Sequence, residues 1–339
     1  MTFLLPLMFA VCFSAYFLTW ILRRYALSRS LIDVPNARSS HTVPTPRGGG
    51  VAIVLSFLVA VPLMGLAGAL TWNCVYAFLG AGTAVAVLGF LDDHGHIAAR
   101  WRLLGHFCAA IWALSWLNGL PVISVASYSV DLGWLGHICA AFYIVWMLNL
   151  YNFMDGIDGI ASVEAICACV GASLVYWLGG FDYLLAAPLV LAVAVAGFLY
   201  WNFPPARIFM GDAGSGFLGI ILALLSIQAA SYSPQLLWVW LILLGVFIVD
   251  ASVTLIRRLL RGDKVYEAHR SHAYQFASRQ YGRHLPVTLT VAAINVLWLL
   301  PVAASVVLWN VDGSLALLVA YAPLVWLAVR FHAGELEKN

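Results

Sequence analysis

The chain has 339 residues, of which 63% are hydrophobic and only 9% are charged, and its formal net charge is +2. This composition excludes a soluble globular core and is typical of a polytopic membrane protein, with no nucleic-acid partner expected. A chain of this length can hold ten or more spans of about 20 residues, each long enough to cross the hydrocarbon layer.

Eleven apolar segments of spanning length are predicted to form transmembrane helices. In chain order they cover residues 3–22, 49–68, 72–91, 104–120, 133–150, 160–179, 182–201, 213–231, 236–256, 286–308 and 313–331. The first runs into Arg23 and Arg24 without a small-residue cleavage site, so we interpret it as a retained anchor and not as a signal peptide. No repeat or linker marks a second domain, and the predicted fold is one all-α transmembrane domain over residues 1–339.

The charged residues are unequally distributed between the two sides of this arrangement. All 17 Lys and Arg residues fall in the connections after odd-numbered helices or at the helix ends beside them. The short connections after even-numbered helices carry acids such as Asp131, Asp182 and Asp312. By the positive-inside rule, the odd-numbered side is predicted to be cytoplasmic. The N-terminus would then lie outside, in the periplasm, and the C-terminus inside.

Five polar clusters interrupt the apolar sequence, and all five lie on the predicted cytoplasmic side. They are DVPNARSSHTVPTPRGGG (33–50), GFLDDHGHIAARWR (89–102), NLYNFMDGIDGI (149–160), WNFPPARIFMGDAGSG (201–216) and EAHRSHAYQ (267–275). Each carries more acids, amides or cations than the caps and turns of a structural loop need. Because loops on one face can converge, the clusters predict a single site at the cytoplasmic face.

Five aspartates stand at helix ends or loop edges within these clusters: Asp92, Asp93, Asp155, Asp158 and Asp212. Clustered carboxylates repel one another unless they share a cation or a proton. The clusters contain no thiol and no paired-histidine spacing, which argues against zinc, whereas an oxygen-only site suits Mg²⁺. One of these acids could simply cap a helix, but two spaced Asp-Gly pairs exceed what one cap needs.

Cations and glycines accompany the acids. Arg47 precedes Gly48–Gly50 at the predicted start of the second helix, and Gly214 and Gly216 open the eighth. Glycines at a helix N-terminus let phosphate approach bare N–H groups, so we expect phosphate binding at these positions. Further cations able to neutralise phosphate charge are Arg100, Arg102, Arg207, His269, Arg270 and His272. Together the clusters predict Mg²⁺-dependent phosphoryl transfer.

Other interpretations of these features stay open. A secondary transporter with a cytoplasmic-face anion site could also have eleven helices, although its site is expected near the membrane midplane. An intramembrane aspartyl protease needs a GxGD setting, and Met210-Gly211-Asp212 lacks the first glycine. Asp250, inside the ninth helix, is either functional or paired with an arginine at the end of its own helix. His106, near a helix end, is interpreted as structural.

Four motifs resemble those of the polyprenyl-phosphate N-acetylhexosamine-1-phosphate transferases, which form glycosyltransferase family 4. They are GFLDD (89–93), NLYNFMDGIDGIA (149–161), NFPPARIFMGDAGSGFLG (202–219) and HRSHAYQ (269–275). The resemblance implies ten or eleven helices in a bacterial inner membrane and an active site at the cytoplasmic face. It also implies transfer of a sugar 1-phosphate from a UDP-sugar to undecaprenyl phosphate, with release of UMP and with Mg²⁺, or Mn²⁺ in its place, as cofactor.

The resemblance assigns roles residue by residue. Asp212 matches the Mg²⁺ ligand, and the acid pair on the lipid-phosphate side is Asp92 and Asp93, with Asp92 a suggested base; these three are the expected catalytic residues. Phe209 matches the ring that stacks on uracil. The other expected substrate-binding residues are Thr45, Arg47, Arg102, Asn152, Asp155, Asp158, Asn202, His269, Arg270 and His272. Direct one-step attack by the acceptor is preferred, and a covalent phospho-aspartate is the open alternative.

The last motif departs from one branch of this family. HRSHAYQ stands where the muramoyl-pentapeptide branch has a run of three histidines, which favours the branch that starts O-antigen or similar surface glycans. Within that branch the motif resembles enzymes that use 6-deoxy sugars such as UDP-N-acetylfucosamine or UDP-N-acetylquinovosamine. The expected partners are a UDP-N-acetylhexosamine, undecaprenyl phosphate and the lipid bilayer, and a homodimer is left open.

Overall fold

The structure, a computed structural model, describes residues 3–29, 31–35, 43–95, 97–126, 128–263 and 270–336. Within these ranges the chain is helical apart from two short antiparallel hairpins. β1 (Ile32–Asp33) pairs with β2 (Thr45–Pro46), and β3 (Ile123–Val125) pairs with β4 (Tyr128–Val130). The all-α class predicted from composition is therefore confirmed.

The helices follow the predicted order closely. They are α1 (Leu4–Ser28), α2 (Val51–Leu66), α3 (Trp72–His94), α4 (Ala99–Leu117), α5 (Gly133–Met154), α6 (Ile160–Gly179), α7 (Ala186–Asn202), α8 (Asp212–Tyr232), α9 (Gln235–Leu243), α10 (Gly245–Leu260), α11 (Ala273–Tyr281), α12 (His284–Ile294), α13 (Leu300–Leu308) and α14 (Gly313–Arg330). A π-helical turn, Asn295–Leu299, joins α12 to α13, and a 3₁₀ turn, Asp182–Leu184, precedes α7.

Seven helical units in the described part of the chain are long and apolar enough to cross a membrane. They are α1, α3, α5, α6, α8, the α12–α13 unit and α14. The α9–α10 pair, bent by 73°, makes an eighth if it is one span, and α2 and α7 are shorter apolar helices. Each of the eleven predicted segments is helical, but the count of eleven spans and the side on which the loops lie stay predictions.

Helix α8 forms the centre of the bundle, and its neighbours reach it through glycine. Every residue from Ala213 to Ala230 is buried. A Cβ added at Gly219 would lie 2.7 Å from the Cα of Leu148 in α5, and one at Gly89 in α3 would lie 2.6 Å from the carbonyl of Asp212. Backbones that approach this closely tolerate only glycine. Gly89 therefore brings the polar end of α3 against the first turn of α8, and Gly219 lets α5 approach α8 about two turns further on.

The outer helices present apolar side chains to the surroundings. Phe9 and Phe13 on α1 are 76% and 69% exposed, and Trp326 on α14 is 64% exposed. Apolar faces of this size are typical of surfaces that contact lipid or another protein. The protein is accordingly a multi-pass membrane protein with α8 in its interior.

Candidate active site

All five polar clusters contribute to one cavity of about 290 Å³ at the ends of α3, α5 and α8. Eight of the predicted site residues line it: Arg47, Asp93, Asn152, Asp155, Asp158, Asn202, Phe209 and Asp212. The first cluster also contributes Asp33, and the last contributes Gln275. The five clusters therefore converge in the structure, whereas the membrane side on which they lie stays a prediction.

Two smaller groups of predicted residues lie beside this cavity. Asp92 and Arg102 line a second cavity, of about 30 Å³, which also reaches Asp212. Thr45 lines a third, of about 390 Å³, which shares Asp158 and Phe209 with the main cavity. Phe209 therefore stands between two open volumes, and Asp212 lies where the first two meet.

The predicted residues of the last motif are placed differently. His272 lies outside the main cavity with its side chain 3% exposed, and its Nδ1 is 3.3 Å from Asp250. Arg270 does not line the cavity either. His269 lies outside the described residues. The expected contact of His272 with substrate in this cavity is thus not provided by this geometry, because the imidazole is packed against α10.

Asp93 caps helix α8 from a different helix. Its Oδ1 accepts the N–H of Asp212 at 3.2 Å, and its Oδ2 accepts the N–H of Ala213 at 3.3 Å. The first N–H groups of a helix have no partner within the helix, and a carboxylate there is favoured by the helix dipole. The guanidinium of Arg47 donates to the carbonyl oxygen of Asp93. Asp93 therefore fixes the position of Asp212 in the cavity wall.

The side chain of Asp212 is far more accessible than that of Asp92. Its side chain is 39% exposed, against 7% for that of Asp92. The amide of Asn152 donates to the carboxylate of Asp212 and, at 3.0 Å, to the hydroxyl of Ser215. A guanidinium nitrogen of Arg102 lies 3.8 Å from the same carboxylate. Asp212 is thus held in place while one face stays open to a ligand.

Asp92 makes a separate ion pair. Its Oδ2 accepts from the guanidinium of Arg102, and its Oδ1 accepts the N–H of Ile97 at 2.8 Å. The ring of His106 lines the same small cavity, and its Nδ1 has no partner among the described residues. A volume of about 30 Å³ holds one or two water molecules. His106 was interpreted as structural, and the structure adds that it faces this polar volume.

Asp155, at the end of α5, adds negative charge to the main cavity. Its carboxylate accepts no hydrogen bond from any described residue. Burial raises the pKa of Asp155 well above its ordinary value, and the carboxylates of Asp212, Asp93 and Asp158 raise it further. Carboxylates that raise one another's pKa in this way are stabilised when a cation lies between them.

These donors fit a hard divalent cation of the Mg²⁺ type. In the described part of the chain, no three His, Cys, Asp or Glu side chains are close enough to bind one ion together. Mg²⁺ does not need such a cage, because it keeps several waters and binds through one or two carboxylates plus substrate phosphate. Asp212 and Asp155, with the amide of Asn152, supply oxygen donors of that number and kind on one cavity wall.

Asp158 and Asn202 fasten the 155–159 loop to the segment before α8. Oδ2 of Asp158 accepts the N–H of Ala206 at 3.0 Å, and Oδ1 of Asp158 lies 3.1 Å from Nδ1 of His284. Asn202 accepts the N–H of Gly159 and donates to the carbonyl of Ile208, both at 3.0 Å. Both residues line the cavity, but these bonds already use their polar atoms for positioning, and their contact with substrate stays a prediction.

The glycine-rich helix starts were predicted to offer unpaired N–H groups to phosphate. This prediction is wrong for the N–H groups of Gly49, Gly50 and Gly214. The N–H of Gly49 donates to the carbonyl of Phe209 at 2.9 Å, and that of Gly50 to Met210 at 2.8 Å. The N–H of Gly214 donates to the carbonyl of Gly211 at 3.0 Å. A Cβ at Gly50 would lie 2.5 Å from the Cα of Gly214. Gly50 and Gly214 are needed because the starts of α2 and α8 pack backbone to backbone.

Four polar residues of the cavity were not predicted as site residues: Asp33, Ser215, Gln275 and His284. Asp33 and Ser215 lie within quoted clusters. Gln275 belongs to a quoted motif, yet only its histidines and arginine drew attention because of their charge. His284 belongs to no motif, and it reaches the cavity from the start of α12 to contact Asp158. Only the packing of α11 and α12 against the 155–159 loop identifies Gln275 and His284.

Comparison with known proteins identifies the family. The family model described as glycosyl transferase family 4 matches residues 75–230, the part that contains α3 to α8. A decaprenyl-phosphate N-acetylglucosaminephosphotransferase of Mycobacterium leprae is 31% identical over 76% of this chain and 73% of its own. The chain belongs to this family. It is therefore an enzyme, a membrane-embedded sugar-1-phosphate transferase.

Other relatives of this transferase extend the match. A probable undecaprenyl-phosphate N-acetylglucosaminyl 1-phosphate transferase of Bacillus subtilis is 29% identical over 92% of this chain and 87% of its own. A phospho-N-acetylmuramoyl-pentapeptide-transferase of Bacillus licheniformis is 27% identical over 74% of this chain and 79% of its own.

Proposed function

We propose that this enzyme transfers an N-acetylhexosamine 1-phosphate from a UDP-sugar to undecaprenyl phosphate and releases UMP. The observation that carries the proposal is the position of Asp212. Its carboxylate opens onto the 290 Å³ cavity on one side and faces the Asp92–Arg102 pair on the other. Phosphoryl transfer depends on positioning and charge stabilisation between the two substrates, and an acid at this boundary would hold the metal ion that supplies the charge stabilisation.

The donor would occupy the main cavity. A nucleotide sugar is an elongated ligand and needs a long binding volume. The main cavity adjoins the third cavity, which Thr45 lines, because Asp158, Phe209 and His284 line both. The ring of Phe209 offers a stacking surface for a base at that boundary. Arg47, on the cavity wall, would neutralise part of the diphosphate charge.

Mg²⁺, or Mn²⁺ in its place, would be held by Asp212, with Asp155 facing the same volume. When bound, the ion supplies charge neutralisation and polarisation of a phosphoryl oxygen. Asp93 contributes by holding the N-terminus of α8, and Asn152 contributes by orienting the carboxylate of Asp212.

The acceptor phosphate would approach on the Asp92–Arg102 side. An oxygen of that phosphate attacks the phosphorus that carries the sugar, the bond between the two donor phosphates breaks, and UMP leaves with the electron pair. Arg102 would offset the charge of the incoming phosphate. We prefer this direct step to a covalent phospho-aspartate, since Asp93 is committed to two backbone N–H groups and Asp92 to Arg102.

The proposal is tested with the purified full chain, undecaprenyl phosphate and a panel of UDP-sugars. UMP release is expected with at least one N-acetylhexosamine donor and is expected to stop with EDTA. Asp212→Asn should lower UMP release by at least about 100-fold, because the open carboxylate is lost. The matched control is Asp131→Asn, an exposed acid before α5. EDTA-resistant release would contradict the metal assignment, and silence with every donor would contradict the reaction.

The panel also tests the sugar. Donors with a 6-deoxy sugar, UDP-N-acetylfucosamine and UDP-N-acetylquinovosamine, are proposed on the basis of the HRSHAYQ motif, and they would place the product at the start of O-antigen or another surface glycan. A kcat/KM for UDP-N-acetylglucosamine above those of both 6-deoxy donors would reject this finer assignment and leave the general reaction intact.

A further inference from the structure

Asp250 is a buried acid in α10 that the main cavity does not contain. It is 6% exposed. Its Oδ1 accepts the N–H of Ala273 at 2.9 Å, and its Oδ2 accepts the N–H of Tyr274 at 3.0 Å. The alternative that Asp250 pairs with an arginine of its own helix end is wrong: among the described contacts, its partners are α11 and Thr254.

Helix α11 depends on this carboxylate. The helix has nine residues, a length at which an isolated helix is marginal in water. Its first N–H groups lack intrahelical partners, and a buried carboxylate supplies charge-assisted bonds and favourable charge at the dipole's positive end. Asp250 thus caps α11 from another helix, and it also faces Nδ1 of His272 at the capping position.

Helix α11 in turn contacts the loop that carries Asp155 and Asp158. The hydroxyl of Tyr274 donates to the carbonyl of Phe153 at 3.0 Å. Burial and the facing carboxylates of Asp250 and Asp155 raise the pKa of Tyr274, which keeps this hydroxyl a donor. A Cβ at Gly156 would lie 2.1 Å from the Tyr274 hydroxyl oxygen, so a side chain at this position would displace that hydroxyl.

Gln275 completes the connection to the cavity. Its Oε1 accepts the N–H of His272 at 3.2 Å, which fixes the direction of the amide. Its Nε2 lies 3.2 Å from the position of a Cβ at Gly156, and the residue lines the main cavity. The chain of contacts therefore runs from Asp250 through Tyr274 and Gln275 to the 155–159 loop.

We propose that Asp250 is a positioning residue that docks α11 against the 155–159 loop and so sets the donor side of the active site. The acid touches no substrate. It acts through Tyr274 and Gln275, and its effect on the donor rests on the proposed function, whereas its effect on the loop does not.

The test combines backbone hydrogen exchange with donor kinetics on the full chain in detergent. Asp250→Asn keeps the size of the side chain but can accept only one of the two N–H bonds. Exchange of the amides in 153–159 and 272–276 is expected to rise, with that of buried α8 unchanged. The KM for the UDP-sugar is expected to rise about tenfold with kcat within about twofold. Thr254→Val, which removes only the Thr254 bond to Asp250, is the matched control and should leave both readouts near wild type.

Tyr274→Phe provides a second, milder variant. It removes the bond to Phe153 and leaves the Asp250 cap in place, so exchange should rise in 153–159 and not in 272–276. The proposal is overturned if Asp250→Asn raises exchange in 272–276 alone, or if Tyr274→Phe leaves 153–159 unchanged. Exchange needs no turnover. If the wild-type enzyme releases no UMP, the proposed reaction is contradicted. The exchange measurements still decide whether Asp250 positions the 155–159 loop.

Discussion

The two aspartates of the LDD sequence are neighbours in the chain but bond to different elements. Successive residues of a helix point about 100° apart, so Asp92 and Asp93 face different partners. Asp92 bonds to Arg102 at the start of α4, whereas Asp93 bonds to the first two N–H groups of α8. Substitutions of the two residues should therefore fail in different ways.

Asp93→Asn should weaken Mg²⁺ binding more than it lowers kcat. The amide can accept only one of the two α8 N–H groups, and Asp212 then loses its fixed position. The Mg²⁺ concentration for half-maximal UMP release should rise by about 10- to 100-fold, the range seen when residues that orient a ligand are changed. His94→Asn, at the exposed neighbouring residue, is the control, because among the described residues the Nδ1 of His94 hydrogen-bonds to the carbonyl of Phe90 alone. A fall in kcat with an unchanged Mg²⁺ requirement would instead make Asp93 a direct participant.

At the scale of the helices, buried hydrogen-bonded pairs of polar side chains keep neighbouring helices together, and these helices support the active site. Glu164 in α6 is fully buried, and its Oε2 accepts from Nδ2 of Asn295 at 2.6 Å. The same amide, on the first residue of the π turn, also donates to the carbonyl of Val291 at 3.1 Å. Two turns before Asn295, within α12, the hydroxyl of Thr288 donates to the carbonyl of Asp158 at 2.9 Å, so the same helix also holds the loop that carries Asp158.

Glu164→Ala should destabilise the protein more than Glu164→Gln. Alanine leaves the buried Asn295 donor without its stronger partner, at a cost of about 1–3 kcal/mol, whereas glutamine keeps a carbonyl oxygen in place. Thermal unfolding in detergent should show a lower Tm for the alanine variant and a value near wild type for the glutamine variant. Equal losses in the two variants would mean that the charge of Glu164, and not the hydrogen bond, supports the helix pair.

The helices could be predicted from sequence to within a few residues, but two elements could not. The 73° bend between α9 and α10 falls at Leu244, inside a continuous apolar run, and hydropathy carries no information on the direction of a helix axis. Helix α11 has a mixed composition and depends on Asp250 from another helix. The acids of the site were predictable because aspartate in an apolar chain is costly. Gln275 and His284 were not, because only tertiary packing brings these ordinary polar residues to the cavity.

At the scale of the whole molecule, the cavity lies at the helix ends and not midway along them. Asp93 closes α3, Asp155 follows α5 and Asp212 begins α8. Acids at these positions can stay hydrated beside a membrane, whereas a transporter site is expected near the midplane on broken helices. A nucleotide sugar is made in the aqueous phase of the cytoplasm, so the proposed reaction requires the cavity to open on that side of the membrane.

The predicted orientation can be read directly by cysteine labelling in intact cells. Tyr128, in the hairpin between α4 and α5, is 77% exposed, and Leu336, after α14, is 70% exposed. The excess of Lys and Arg on the cavity side predicts that Tyr128→Cys faces the periplasm and Leu336→Cys the cytoplasm. A membrane-impermeant maleimide should therefore label Tyr128→Cys in cells whose inner membrane is intact, and Leu336→Cys only after lysis. The unsubstituted chain is the control for its six native cysteines. The reverse pattern would place the cavity outside, where no UDP-sugar reaches it, and would contradict the orientation and the donor together.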